Sequence, residues 1–278
     1  MRIGFIGLGN QGAPIAHRML QGGADLTVWA RRPAALEPFV AAGATAAETP
    51  AALAARCDVV GVCVVADDDV RQVVAGENGL IGAMRPGGVI AIHATVAPET
   101  VVALEALARA AGVHLLDAPV SGGPQGAREG TMTVMVGGSP EALEIARPAL
   151  ALFASAIPHL GPVGSGQVLK LLNNNLCYAN AAMAASALEV AEALGVDPRR
   201  AADVMRISSG ASQGLNIVAT DAVLKKATGP TSNIRKDVGH FLNLLRARGL
   251  EGAPMARAAA TTADVLEAFV GRPSREAG

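Results

Sequence analysis

Apolar positions recur along this chain with two periods, and the change from one to the other divides it. Arg2–Ile6 is a short apolar run closed by Gly7, and the stretch Gly12–Gln21 that follows is amphipathic, with Pro14 near its start where a missing amide costs nothing. This predicts strand, tight turn and helix. Residues 26–30 then predict a second strand, 34–42 a helix, and 59–65 an almost uninterrupted β-branched run of the kind buried on both faces of a sheet. Thr49 before Pro50 reads as a helix cap, and Asp67-Asp68-Asp69 sets three carboxylates at the positive end of the next helix. Strands at 89–93 and 113–117 flank a helix at about 99–111 ended by Gly112, a further strand is expected at 131–136, and Ser139-Pro140 opens another helix. Strand and helix alternating at this spacing specify an α/β fold with a doubly wound parallel sheet.

After Leu160 the pattern changes. Gly161-Pro162-Val163-Gly164-Ser165-Gly166 is a punctuated joint, and from there to Gly195 one apolar-periodic segment runs with hardly a breaker, long enough for a helix of roughly 40 Å. Shorter helices are expected at about 198–207, 215–226, 233–248 and 254–269, and nothing after Gly166 alternates like a strand. The expected domains are 1–162, a doubly wound unit of Rossmann type, and 163–278, all-helical and opening on a long interdomain helix.

Composition narrows the chemistry. The 278 residues carry 23 Lys and Arg against 24 Asp and Glu, with 17% charged residues, which excludes a disordered chain and a basic nucleic-acid binder. Five Phe, one Tyr and one Trp are too few for a platform that stacks bases or sugars. Cys57, Cys63 and Cys177 show no zinc-site spacing, so no metal is expected, and reduced thiols point to the cytoplasm. The apolar start, residues 1–8, is too short and glycine-broken for a signal sequence, and no apolar run approaches a membrane span.

The first turn carries the strongest motif. Gly7-Leu8-Gly9-Asn10-Gln11-Gly12 is a G-x-G-x-x-G placed directly after the first strand and opening the first helix. Gly7 makes the tight turn, Gly9 lets backbone approach a pyrophosphate, and Gly12 lets helix and strand pack closely, with the pyrophosphate on free amides at the helix's positive end. In a chain with 32 glycines the motif alone is weak; its place in the alternation gives it weight. The second strand should end on the residue that reads the adenosine ribose. There the chain has Trp29-Ala30-Arg31-Arg32, two guanidiniums without a nearby acid, which favours NADP over NAD because Arg pairs bidentately with phosphate oxygens.

Two further segments bear candidate chemistry. Asp117-Ala118-Pro119-Val120-Ser121-Gly122-Gly123-Pro124 follows a strand, at the sheet end where doubly wound folds place ligands, and Ser121, Gly122 and Gly123 offer a hydroxyl and open amides, either a small carboxylate nest or simply a turn. Lys170 lies in the first turns of the long helix within Lys170-Leu171-Leu172-Asn173-Asn174-Asn175. Helical spacing puts Lys170, Asn173 and Asn174 on one face, and three asparagines are poor helix material, so something other than propensity holds them. A lysine facing a partly buried cleft has its pKa lowered toward what a proton donor needs, whereas one that snorkels to solvent does not.

The sequence resembles the β-hydroxyacid dehydrogenase family, the group of 3-hydroxyisobutyrate, tartronate semialdehyde and succinic or glyoxylate semialdehyde enzymes. Four motifs stand in the family's order: Gly4-Phe5-Ile6-Gly7-Leu8-Gly9 through Gly12, the segment from Asp117 to Gly126 with Gly130-Thr131-Met132, the segment from Gly164 to Asn174, and Lys236-Asp237. Ala94-Thr95-Val96-Ala97-Pro98 matches a family segment beside the nicotinamide. The resemblance implies Lys170 as acid-base residue with Asn174 or Asn173 as its partner, Ser121, Gly122 and Gly123 as the substrate-carboxylate loop, and Thr95 and Lys236 on the cofactor. It further implies Asp237 supporting the lysine side and Arg31 in the place of the arginine of NADP-using members. Gln11, Ile15 and His93-Ala94 depart from the commoner family residues, which touches substrate detail.

The activity expected is an NADP(H)-preferring hydride transfer between nicotinamide and a small β-hydroxy acid or its semialdehyde. Imine reductases share the plan but usually lack the lysine, and 6-phosphogluconate dehydrogenases carry a larger helical domain. A non-catalytic dinucleotide-binding subunit would need a degraded set, yet Ser121, Lys170, Asn174 and Asp237 are present. The expected partners are a small carboxylate substrate and further copies of the chain, as homodimer or homotetramer, with no nucleic acid and no membrane.

Overall fold

The computed structural model describes residues 1–220 and 233–270. They fall into two compact units, Met1–Lys170 and Leu171–Gly278.

The first unit is built on six strands, β1 (Arg2–Ile6), β2 (Asp25–Trp29), β3 (Thr45–Ala46), β4 (Val59–Val62), β5 (Val89–Ile92) and β6 (His114–Asp117). Their order in the sheet is β3-β2-β1-β4-β5-β6 and every neighbouring pair is parallel. The chain winds outward in both directions from β1 and β4, which makes their carboxyl ends the crevice where such sheets take ligands. Helices α1 (Gly12–Gln21), α2 (Glu37–Ala41), α3 (Pro50–Ala54), α4 (Asp67–Ala75) and α5 (Pro98–Ala110) alternate with these strands.

Period-two burial explains the layers. Ile3 and Phe5 of β1 join one buried cluster with Ile15 and Met19 of α1, while Ile6 faces the other, with Leu53 of α3, Val70 and Val74 of α4 and Leu104 of α5. Thr49 caps α3 as its sequence suggests, its hydroxyl accepting the Ala52 amide at 3.0 Å.

Three boundaries differ from the sequence pattern, each for a local reason. β4 ends at Val62 rather than 65, because Ile6 is its last partner on β1 and Gly7 then turns the neighbouring strand away; Val65 is exposed. The helix expected at 34–42 is a 3-10 turn, Pro33–Ala35, followed by α2, since Pro38 has no amide with which to carry a helix through from before it. The strand expected at 131–136 is β8 (Met132–Val134), and it lies outside the main sheet. It is the middle of a three-stranded sheet, β7 (Val120–Ser121), β8, β9 (Ala154–Ala156), with α6 (Gly123–Glu129) between β7 and β8 and α7 (Pro140–Leu150) before β9. β7 and β8 pair antiparallel, so this segment folds back on its own approach instead of crossing over to extend the parallel sheet.

The described residues of the second unit form helices joined by turns, with no strand among them. α8 (Ser165–Ala193) has 29 residues, about 43 Å at 1.5 Å per residue, and continues from the first unit into the second. α9 (Pro198–Arg206) starts at Asp197, whose carboxylate accepts the amides of Arg199 and Arg200, both at 2.9 Å. α10 (Gln213–Ala219) covers the start of the helix expected at 215–226, of which 221–226 lie outside the described residues. α11 (Asn233–Ala247) buries Ile234, Val238, Phe241 and Leu245, and α12 (Pro254–Val270) buries Ala259, Ala263 and Leu266, at three- and four-residue spacings. Arg235 ties the two, donating to Glu267 at 2.7 Å and to Asp264 at 2.8 Å. Among the described residues no helix is long and apolar enough to cross a membrane.

Candidate functional site

The carboxyl ends of β1, β2 and β4 surround a cavity of about 750 Å³, a size usual for small-molecule sites. Gly7, Leu8, Gly9, Trp29, Arg31 and Arg32 line it, with Glu48, Asp69 and Glu77 also in its wall. Gly7 has φ +97°, which favours glycine, and a side chain there would meet the Cys63 carbonyl. Gly12 packs its Cα side against the Gly7 carbonyl, and space is open where a Gly9 side chain would stand. α1 begins with no side-chain cap; the Ala13 amide is spent on the Gly9 carbonyl at 2.9 Å and Pro14 has none, so the amides that could meet a ligand are those of the glycine turn leading into the helix. An open glycine beside an uncapped helix N-terminus fits the pyrophosphate of a dinucleotide. Asn10, Gln11 and Thr95 lie outside the wall of this cavity.

At the ribose end the fold corrects the sequence. Arg31 has an acid beside it after all: its Nη1 stands 2.9 Å from Oδ1 of Asp69, in the first turn of α4. The other Asp69 oxygen accepts the Ala66 amide at 3.3 Å. The argument for NADP from unopposed arginines therefore loses its premise. Asp69 is 38 residues further along the chain, where its sequence context shows only a helix start.

At the ends of β5 and β6 a second constellation forms around the start of α8. Asp117 is fully buried, and its carboxylate accepts the amides of Gly164 and Gln167, each at 2.8 Å. Burial pushes this carboxyl above its ordinary range, against the pull of those amides. Gln167, also fully buried, brackets Thr95: its Nε2 donates to the Ala94 carbonyl at 2.8 Å and its Oε1 accepts the Val96 amide at 3.1 Å. Lys170 follows three residues later, 9% exposed. Sequence reasoning passed over Gln167, although a glutamine in an apolar helical stretch one turn before a lysine is the signal that marks it. Ser121 ends β7 and is half-buried, and Gly122 and Gly123 have φ of +128° and +64°, leaving bare backbone there.

His93, at the end of β5, donates from Nδ1 to the Ala118 carbonyl at 2.8 Å, since a carbonyl only accepts. It stacks on Phe5 at 5.9 Å and meets Phe153 edge-on at 5.6 Å, and burial lowers its pKa to about 4.

The second unit holds its own polar cluster. Asp237 of α11 is 3% exposed, and its Oδ2 accepts both Asn174 Nδ2 at 2.8 Å and the Tyr178 hydroxyl at 3.1 Å. Lys236 Nζ lies 3.6 Å from Oδ1 of the same carboxylate. Burial and the neighbouring Asp237 charge push the Tyr178 phenol upward, so it stays protonated and donates. Asn174 is thus held by an acid, Asn175 bonds back to the Leu171 carbonyl at 2.9 Å, and Asn173 lies 3.4 Å from Asn174 Oδ1. Tyr178, the chain's one tyrosine, belongs to this cluster.

A glycine turn between β1 and an uncapped α1, opening on a ligand-sized crevice at the switch point of a parallel sheet, defines a dinucleotide-binding α/β protein. Residues 2–161 match the family model described as the NAD binding domain of 6-phosphogluconate dehydrogenase, and 164–274 match that described as NAD-binding of NADP-dependent 3-hydroxyisobutyrate dehydrogenase. An oxidoreductase of Mycobacterium tuberculosis is 40% identical over 78% of this chain and 73% of its own. The NAD-dependent L-serine dehydrogenase of Pseudomonas aeruginosa is 39% identical over 78% and 72%. The solved structure of Mycobacterium tuberculosis 3-hydroxyisobutyrate dehydrogenase with L-serine superposes with a TM-score of 0.82, at 28% identity and 98% coverage of both chains. A Streptomyces aurantiacus imine reductase, at 20% identity and TM-score 0.69, shares the fold. The chain belongs to the β-hydroxyacid dehydrogenase family and is an NAD(P)-dependent oxidoreductase.

Proposed function

We propose that this enzyme interconverts a small β-hydroxy acid and its semialdehyde, with Lys170 as general acid and base and a nicotinamide dinucleotide, NADP(H) or NAD(H), as cofactor. The observation that carries this reading is the placement of Lys170: a buried amine one turn after Gln167, whose side chain grips the backbone on both sides of Thr95. Gly7, Leu8, Gly9, Asn10, Gln11 and Gly12 would hold the pyrophosphate, Arg31 and Arg32 the ribose end, and Thr95 and Lys236 the remainder. When bound, the nicotinamide exchanges hydride with the substrate carbon.

The chain's own residues supply the rest. The ammonium of Lys170 gives its proton to the oxygen that turns from carbonyl to hydroxyl, and the same amine takes it back in oxidation. Its positive charge also steadies the negative oxygen as it forms. Ser121 and the bare amides of Gly122 and Gly123 hold the substrate carboxylate. Asn174, four residues after Lys170, shares its helix face and steadies the lysine together with Asn173, while Asp237 orients Asn174. Two relatives support a small substrate, one named for L-serine and one solved with it. The presence of Lys170 favours this reading over an imine reductase. Cys57, Cys63 and Cys177, none of them in a disulfide among the described residues, fit a reducing compartment such as the cytoplasm.

The experiment is a panel of small β-hydroxy acids, semialdehydes and cyclic imines with NADP(H) and NAD(H). Turnover of at least one hydroxy acid or semialdehyde is expected, and turnover of imines alone would contradict the reading.

A further inference from the structure

The adenosine end of the crevice holds an ion pair that hydride transfer does not use. Arg31 and Asp69 both line the cavity and stand 2.9 Å apart. The partners differ in freedom: the Arg31 side chain is 69% exposed, that of Asp69 21%. Asp69 is also anchored by its second oxygen to the Ala66 amide in the first turn of α4. The carboxylate is therefore the fixed group and the guanidinium the movable one.

We propose that Asp69 is a built-in counter-ion of the ribose subsite that lets this enzyme use both NADP(H) and NAD(H). The inference rests on reading the crevice as a nicotinamide-dinucleotide site. An anion that engages Arg31 must come within a few ångströms of the Asp69 carboxylate, because the two side chains already touch. Like charges at that range, screened by water at the rim, weaken binding by about a factor of ten. An exposed ion pair, in contrast, is easily given up, so Arg31 remains able to leave Asp69 for a phosphate. The same carboxylate accepts a hydrogen bond from a 2'-hydroxyl, which favours the unphosphorylated form. The two preferences offset each other in one pocket: Arg31 draws the phosphate in and Asp69 limits the advantage.

The test measures dissociation constants, not turnover. Trp29 is the chain's one tryptophan and lines the cavity, so its fluorescence reports NADPH and NADH binding directly. Wild type is expected to bind the two within about tenfold of each other. Asp69→Asn keeps the shape and removes the charge; it should tighten NADPH about tenfold and weaken NADH a few-fold, with the shift shrinking at high salt. In an Arg31→Ala background the NADPH gain should shrink, since the phosphate is then no longer drawn to within a few ångströms of the carboxylate. An unchanged NADPH/NADH ratio in Asp69→Asn, or weaker NADPH binding because Asp69 merely orients Arg31, would overturn the inference while leaving the cofactor site intact. Failure of wild type to bind either dinucleotide would overturn the cofactor reading and this inference with it.

Discussion

His93 is a titratable ring sealed from water between Phe5 and Phe153, and its environment makes a prediction about pH. Above about pH 6.5 the ring is neutral in folded and unfolded chains alike. Below that the unfolded chain binds a proton that the folded one refuses until about pH 4, so stability falls as pH drops through this window. The loss amounts to about 3 kcal/mol across it. Urea denaturation at pH 7 and pH 4.5 measures it; His93→Gln, which does not titrate, should flatten the difference, and an unchanged slope would show that other groups cause it. Single residues also show what a sequence does and does not disclose. Lys170 is visible there because a lysine and asparagines interrupt an apolar helix. Asp69 is not, because its partner Arg31 is reached only through the fold, and Tyr178 gains its meaning only from Asp237 on another helix.

Among the elements, α8 matters most, since its first turn is fastened by side chains rather than by propensity. The Asp117 carboxylate takes two amides of that turn, and Gln167 returns two hydrogen bonds to the segment around Thr95. Gln167→Leu, similar in volume, leaves the Ala94 carbonyl and Val96 amide buried without these partners; unfolding free energy should fall by about 2–4 kcal/mol in urea titrations. If the bracket also sets Lys170 against Thr95, kcat of the folded variant falls at least tenfold while NADPH binding changes less than about threefold. A loss of stability with unchanged kcat would reduce Gln167 to a structural role. Strand and helix order was legible here from periodicity, but ends were not: β4 stops where its neighbour turns away at Gly7, and two-residue strands such as β3 and β7 are too short to show a period.

For the whole molecule, α8 and the turn at its end expose more apolar surface than a lone helical unit needs. Leu176, Met183, Val190 and Leu194 are 56%, 70%, 54% and 77% exposed. Such surface argues for burial against another copy, and the expected state is a homodimer or homotetramer. Light scattering at micromolar concentration should give a mass at least twice that of the 28.0 kDa chain, and a monomer would contradict it. Sequence pattern captured the α/β-then-helical plan, whereas the strand pattern at 131–136 carries no record of partner choice and does not disclose the separate small sheet of β7, β8 and β9. The central claim is that Lys170 moves the proton. Lys170→Met, assayed on the best substrate of the panel beside NADPH titration through Trp29 fluorescence, should lose at least about a thousandfold in kcat with the NADPH dissociation constant within about twofold. A variant that keeps more than about a tenth of wild-type kcat would contradict the account.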